Sequence, residues 1–164
     1  MEANEQDRSG PIPAGTREPL RLESVMRRDV VRADVDTTVG EAMTICFQHR
    51  IRHLPVLSGQ GRLVGIVTDR DLRFYISHRL GTIMENNTDR ETLHRHLHVI
   101  MVRRVISGTP DMTVADAARL MVDYHVGCLP VVDAENHLLG IMTAGDFLRL
   151  VADGKLAASL EQAT

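Results

Sequence analysis

Apolar positions along the chain change their period in a fixed order, and that order occurs twice. A short run at Val30-Val31-Arg32 predicts a strand. Val39, Ala42, Met43, Cys46 and Phe47 then recur at three- and four-residue spacing, which predicts a helix with one apolar face. Its start is marked by Thr38 and Glu41, a hydroxyl and a carboxylate placed to satisfy free backbone N–H groups. Leu54-Pro55-Val56-Leu57 and Leu63 to Val67, separated by Ser58-Gly59-Gln60-Gly61, predict two strands joined by a turn. Pro55 lacks a backbone donor, so its strand is expected at a sheet edge or to begin there. A last helix is predicted from Asp69 to Ile76.

Adding 75 to each position reproduces the series without a gap from Leu22 to Val151. Leu22, Met26, Asp36, Thr38, Val39 and Ala42 meet Leu97, Met101, Asp111, Thr113, Val114 and Ala117. Leu54-Pro55-Val56 meets Leu129-Pro130-Val131, and Gly65, Ile66, Thr68 and Asp71 meet Gly140, Ile141, Thr143 and Asp146. The second copy thus predicts a strand at Val105-Ile106-Ser107, a helical face of Val114, Ala117, Ala118 and Met121, and a helix from Ala144 to Val151. The organisation that follows is a disordered or loosely attached tail over 1–21, a repeat over 22–76, a connection over 77–96, a repeat over 97–152 and a tail over 153–164. Each repeat reads strand, helix, strand, strand, helix, an α/β (α+β) arrangement. A unit of about 55 residues is too small to bury its sheet alone, so the two are expected to pack face to face.

Composition narrows the functional classes. Apolar residues make up 43%, charged residues 25% and aromatic residues only 3%, so aliphatic side chains and Met must fill the core. A net charge of −3 supplies no basic field for nucleic acid or an anionic membrane, and no apolar run approaches the roughly 20 residues of a membrane span. The acidic, polar start is unlike a signal peptide, and two cysteines, Cys46 and Cys128, are expected as buried thiols in a cytoplasmic protein. His94, His96 and His98 would converge on a metal only if their segment is extended; otherwise they form a solvated cluster.

The chemistry concentrates at Gly65-Ile66-Val67-Thr68-Asp69-Arg70-Asp71 and its copy Gly140-Ile141-Met142-Thr143-Ala144-Gly145-Asp146. Each is a strand running into a helix. Thr and Asp three residues apart make a helix cap. The same pair also suits a nucleotide: a carboxylate accepts two ribose hydroxyls, and a helix N-terminus with a hydroxyl attracts phosphate. The residues alone leave both uses open.

Two such motifs in register, each preceded by Leu-Pro-Val at the same distance, resemble a tandem cystathionine-β-synthase (CBS) domain pair, the Bateman module, of the stand-alone bacterial type. The resemblance covers Leu22 to Val151. It implies two βαββα repeats whose small mixed sheets pack about a pseudo-twofold axis, leaving two clefts that take AMP, ADP, ATP or S-adenosylmethionine. It implies regulatory sensing without catalysis, no required cofactor, a homodimer and a protein target that the chain does not name. One cleft is expected to join Thr68, Asp71, Arg70 and His53 to Ile106, Val126 and Gly127 of the second repeat. The other joins Thr143, Asp146 and Cys128 to Val31, Ile51 and Arg52 of the first. Arg70 has Gly145 as its counterpart and His53 has Cys128, so the Asp71 cleft is the expected phosphate site. A ligand-free oligomerisation or interaction module is the alternative, and no nucleophile-base arrangement points to an enzyme.

Overall fold

A computed structural model of the chain describes residues 19–76 and 86–155. The expectations for residues 1–18, 77–85 and 156–164 lie outside the described residues. The first repeat runs α1 (Leu22–Val25), β1 (Ala33–Asp34), α2 (Val39–His49), β2 (His53–Leu57), β3 (Leu63–Thr68) and α3 (Asp69–Tyr75). A short α4 (Asn87–Glu91) precedes two 3₁₀ turns, Thr92–His94 and Leu97–Val99. The second repeat follows with α5 (Val114–Asp123), β4 (Cys128–Val132), β5 (Leu138–Thr143) and α6 (Ala144–Ala152). The hydroxyl of Thr38 accepts the N–H of Glu41 at 3.3 Å, and the Glu41 carboxylate accepts the N–H of Thr38 at 2.8 Å, which fixes the start of α2. Arg50, left-handed at φ 52°, ends it.

Three expectations change. The first strand lies at Ala33–Asp34, directly after the run that predicted it, and its copy is a single bridge from Gly108 to Val131. The run itself is drawn elsewhere: Val30 is buried between the repeats with Cys128 and Ile141. Secondly, β2 is the centre of the order β1-β2-β3, so Pro55 sits in a central strand and not an edge. It is tolerated because β1 joins only from Val56 onward, with Ala33 opposite Val56. In the copy, the Gly108 N–H donates to the Pro130 carbonyl and the Val132 N–H donates to Gly108, both at 2.9 Å. The missing donor thus falls where the neighbouring strand has not yet begun. Thirdly, Phe47 is 85% exposed. Val39, Ala42 and Cys46 form the buried stripe of α2, and Phe47 lies one residue, about 100°, further round.

Each repeat completes its core with a piece of the other. Leu97 and Met101 pack among Val39, Ala42, Leu54, Val67 and Leu72 of the first repeat. Leu22 and Met26 pack among Val114, Ala117, Leu129, Met142 and Leu150 of the second. The exchange is symmetric in its hydrogen bonds. Leu22 N–H donates to the Met112 carbonyl and Leu97 N–H to the Thr37 carbonyl, both at 2.9 Å. Bridges Arg27–Ile141 and Val102–Ile66 form a second such pair, and the bridge Arg62–His137 maps onto itself, which places the pseudo-twofold axis there. Glycines 65 and 140 make this possible. A β-carbon on Gly65 would collide with the Met101 side chain, and one on Gly140 would lie 2.6 Å from the Met26 sulfur and 2.9 Å from the Arg27 carbonyl oxygen. Among the described residues, no helix is long and apolar enough to cross a membrane.

Candidate ligand-binding site

Both strand-to-helix junctions form the cap that their sequence allows. Thr68 donates its N–H and its hydroxyl to one oxygen of Asp71, at 2.9 and 2.6 Å. Thr143 does the same to Asp146, at 2.9 and 2.6 Å. The second carboxylate oxygen separates the copies. Oδ1 of Asp146 accepts Nε and Nη2 of Arg27, at 3.0 and 2.7 Å, and Nη1 of Arg149 at 3.3 Å. Among the described residues, Asp71 has no partner on its Oδ1. The positions equivalent to Arg27 and Arg149 hold Val102 and Phe74, which have nothing to donate. Burial would raise the Asp146 carboxyl, but hydrogen bonds from Thr143 and Arg27 outweigh it and hold its pKa below the ordinary value.

A cavity of about 350 Å³ opens beside Thr143, between the repeats, a size in the range of small-molecule pockets. Val31, Ile51 and Arg52 of the first repeat line it with Thr143, Ala144 and Gly145 of the second, whereas Asp146 and Cys128 are not among its lining residues. His53 and Gly127 line it as well, although they were assigned to the Asp71 cleft. His53 pairs with Thr68 across β2 and β3, yet its ring lies against the backbone at Gly127, where a β-carbon would approach Nε2 to 2.9 Å. Burial, and then the Arg52 cation, push the His53 pKa down, so the imidazole is neutral at pH 7. Four guanidinium groups (Arg27, Arg50, Arg52 and Arg149) form a cationic wall, with His49 beside them and Asp29 the one acid among the lining residues. Val30, Val31, Ile51 and Ile141 supply the apolar side.

The expected phosphate preference for the Asp71 cleft rests on Arg70 against Gly145 and His53 against Cys128. The cations of the cavity come from other elements: Arg27 after α1, Arg50 at the end of α2, and Arg149 on α6. Arg149 was legible as the residue one helical turn beyond Asp146; Arg27 required the cross-repeat bridge. Arg70 lies in an open groove with Arg52, Asp69, Arg73 and Phe74. Ile106 and Val126 pack against the core of the second repeat. Cys128 is buried against Val30 and Ile141, and burial pushes its thiol up to about 12, so it carries no thiolate. His96 and His98 stack at 5.7 Å, and their Nδ1 atoms face the carbonyls of Asp36 and Val35. Asp133, Glu135 and His137 come within 4.8 Å of one another at the β4–β5 turn, where the Asp133 carboxylate accepts the N–H groups of Glu135 and His137.

Inosine-5'-monophosphate dehydrogenase of Bifidobacterium longum is 31% identical over 129 residues, which are 79% of this chain and 22% of that enzyme. The chain therefore spans about a fifth of the length of that relative. Among solved structures, the CBS domain pair of protein MJ0100 in complex with 5'-methylthioadenosine and S-adenosyl-L-methionine superimposes with a TM-score of 0.68 at 26% identity. The match covers 83% of this chain and 98% of that one. CBSX2 in complex with AMP gives 0.70 at 25% identity, over 83% and 98%. The family model of the CBS domain matches twice, over residues 22–78 and 96–153, and the chain belongs to the CBS domain family as a tandem pair.

Proposed function

We propose that this chain is a regulatory module that senses an adenosyl ligand (AMP, ADP, ATP or a related compound) in the cavity beside Thr143. The observation that carries this is the composition of that cavity. An apolar side of Val30, Val31, Ile51 and Ile141 suits adenine and the arginine wall suits phosphate, while the Asp146 carboxylate lies just behind the lining, held by Thr143 and Arg27, where it reaches ribose once Arg27 gives way. The ligand-bearing neighbours support the adenosyl class, since one holds AMP and another holds 5'-methylthioadenosine and S-adenosyl-L-methionine. A ligand there touches both repeats, so its binding energy biases how the two pack together, and that packing is the signal passed to a protein target. The Thr68–Asp71 cleft is the second site of the same kind, with Asp71 Oδ1 open to ribose. No residue of the cavity is assigned a catalytic role.

The proposal extends to a homodimer in the cytoplasm. Its support is the set of large apolar side chains left exposed on the helices: Phe47 at 85%, Phe74 at 89% and Leu148 at 70%. Isothermal titration with AMP, ADP, ATP and S-adenosylmethionine tests the ligand. At least one is expected to bind below millimolar, and Asp146→Ala is expected to weaken binding in this cavity about tenfold or more, roughly 1.4 kcal/mol. Wild-type affinity in that variant would remove Asp146 from the site. Sedimentation equilibrium tests the dimer.

A further inference from the structure

We propose that Arg27 makes the Asp146 cavity selective for adenosyl ligands that carry phosphate, by clamping the ribose-binding carboxylate until an anion draws the guanidinium away. This rests on the adenosyl-ligand function proposed above. Three observations converge on Arg27. Its Nε and Nη2 both donate to Asp146 Oδ1, while Oδ2 takes the two donors of Thr143, so neither oxygen is open to a pair of ribose hydroxyls. The carboxylate is buried at 7% exposure, whereas the Arg27 side chain is about half exposed and lines the cavity, so the arginine is the partner that moves. Its backbone stays in place during that motion, because Arg27 N–H and carbonyl are bridged to Ile141 at 3.1 and 2.9 Å.

The chemistry then separates ligands by class. A ribose that displaces Arg27 without offering a replacement leaves a guanidinium unpaired beside three further arginines. Adenosine and 5'-methylthioadenosine do this. S-Adenosylmethionine brings a sulfonium cation next to the ribose and a carboxylate only at the far end of its amino-acid chain, beside an ammonium group, so it compensates Arg27 less well than a phosphate does. A phosphate gives Arg27 a new bidentate partner within the cavity and offers Arg50 and Arg52 an anion as well, so the displacement is compensated. The other cleft has no such clamp, since Val102 stands at the position of Arg27 and Phe74 at that of Arg149.

The test is calorimetric titration of the full chain carrying Asp71→Ala, which silences the second cleft, with adenosine, 5'-methylthioadenosine, S-adenosylmethionine, AMP and ADP. AMP and ADP are expected to bind at least tenfold tighter than the three phosphate-free ligands. Adding Arg27→Met, which keeps the aliphatic stem, is expected to move the two classes in opposite directions. Adenosine tightens several-fold because only the longer Arg149 contact, at 3.3 Å, then remains on Asp146 Oδ1, and AMP weakens several-fold because a phosphate partner is lost. Arg27→Ala should repeat the pattern and guards against a folding effect of one substitution. Equal affinity for adenosine and AMP before the Arg27 change overturns the inference. So does an Arg27 variant in which adenosine binding is unchanged, which would make Arg27 a phosphate contact only, or in which both ligands weaken, which would make it structural. If neither these five ligands nor ATP binds, the adenosyl function of this cavity fails, and the inference fails with it.

Discussion

At the scale of single residues, the two copies of the Gly-x-x-Thr-x-x-Asp motif differ in what each glycine faces. The three atoms nearest a β-carbon on Gly65 all belong to the Met101 side chain, which is unbranched and has three rotatable bonds. Gly140 is confined by Met26 and also by the carbonyl oxygen of Arg27, and backbone held by a two-hydrogen-bond bridge does not move aside. Gly140→Ala is therefore expected to cost about 1–3 kcal/mol, the usual range for overpacking, and Gly65→Ala less. Urea unfolding of the two variants side by side measures this, and a larger loss at Gly65 would contradict it. His53 offers a second contrast. Its folded pKa lies below the ordinary 6.5, so the folded state binds its proton less readily than the unfolded chain. Its contribution to stability is complete above about pH 6.5 and is lost as pH falls through the folded value. His53→Gln is expected to flatten the fall in melting temperature between pH 7.5 and 5 relative to the unsubstituted protein, since the other histidines titrate in both. An unchanged slope would show that the ring is solvated.

At the scale of elements, the sequence was legible wherever a local rule and a buried face agree. The helices α2 and α5 follow from Thr38 and Thr113 as caps and from stripes through Val39, Ala42 and Cys46 and through Val114, Ala117 and Met121, all buried. The hairpins of β2–β3 and β4–β5 follow from their turns. What was not legible depended on partners distant in sequence. Val30 satisfies a strand pattern but is buried by Cys128 and Ile141 of the other repeat, which displaces the strand to Ala33. Pro55 breaks the rule for central strands only if β1 is assumed to be long, and no local signal fixes where a parallel strand joins. The site shows the same division. Thr143 could be placed from the motif, and Val31, Ile51 and Arg52 only through the resemblance to the CBS pair. The sharing of His53 and Gly127, and the arginine that closes on Asp146, depend on a contact that spans 119 positions.

At the scale of the whole molecule, the repeats are not independent lobes joined by a linker. Leu22 and Met26, at the head of the first repeat, belong to the core of the second, and Leu97 and Met101 belong to the core of the first. Leu22 and Leu97 are both fully buried, and removing either core from water requires the segment that the other repeat holds. Loss of one repeat therefore exposes the apolar face of a segment that the survivor needs. The chain should unfold as one cooperative unit despite its two-fold sequence repeat. The two tyrosines allow a direct check, because there is no Trp, and Tyr75 lies on α3 of the first repeat while Tyr124 follows α5 of the second. With Tyr124→Phe the fluorescence reports the first repeat alone, and with Tyr75→Phe the second alone. In urea, each tyrosine signal is expected to share its midpoint and slope with far-ultraviolet circular dichroism of the same variant. Midpoints separated by more than the fitting error would show two folding units. The exchange of Leu22 and Leu97 would then be a docking contact and not a shared core.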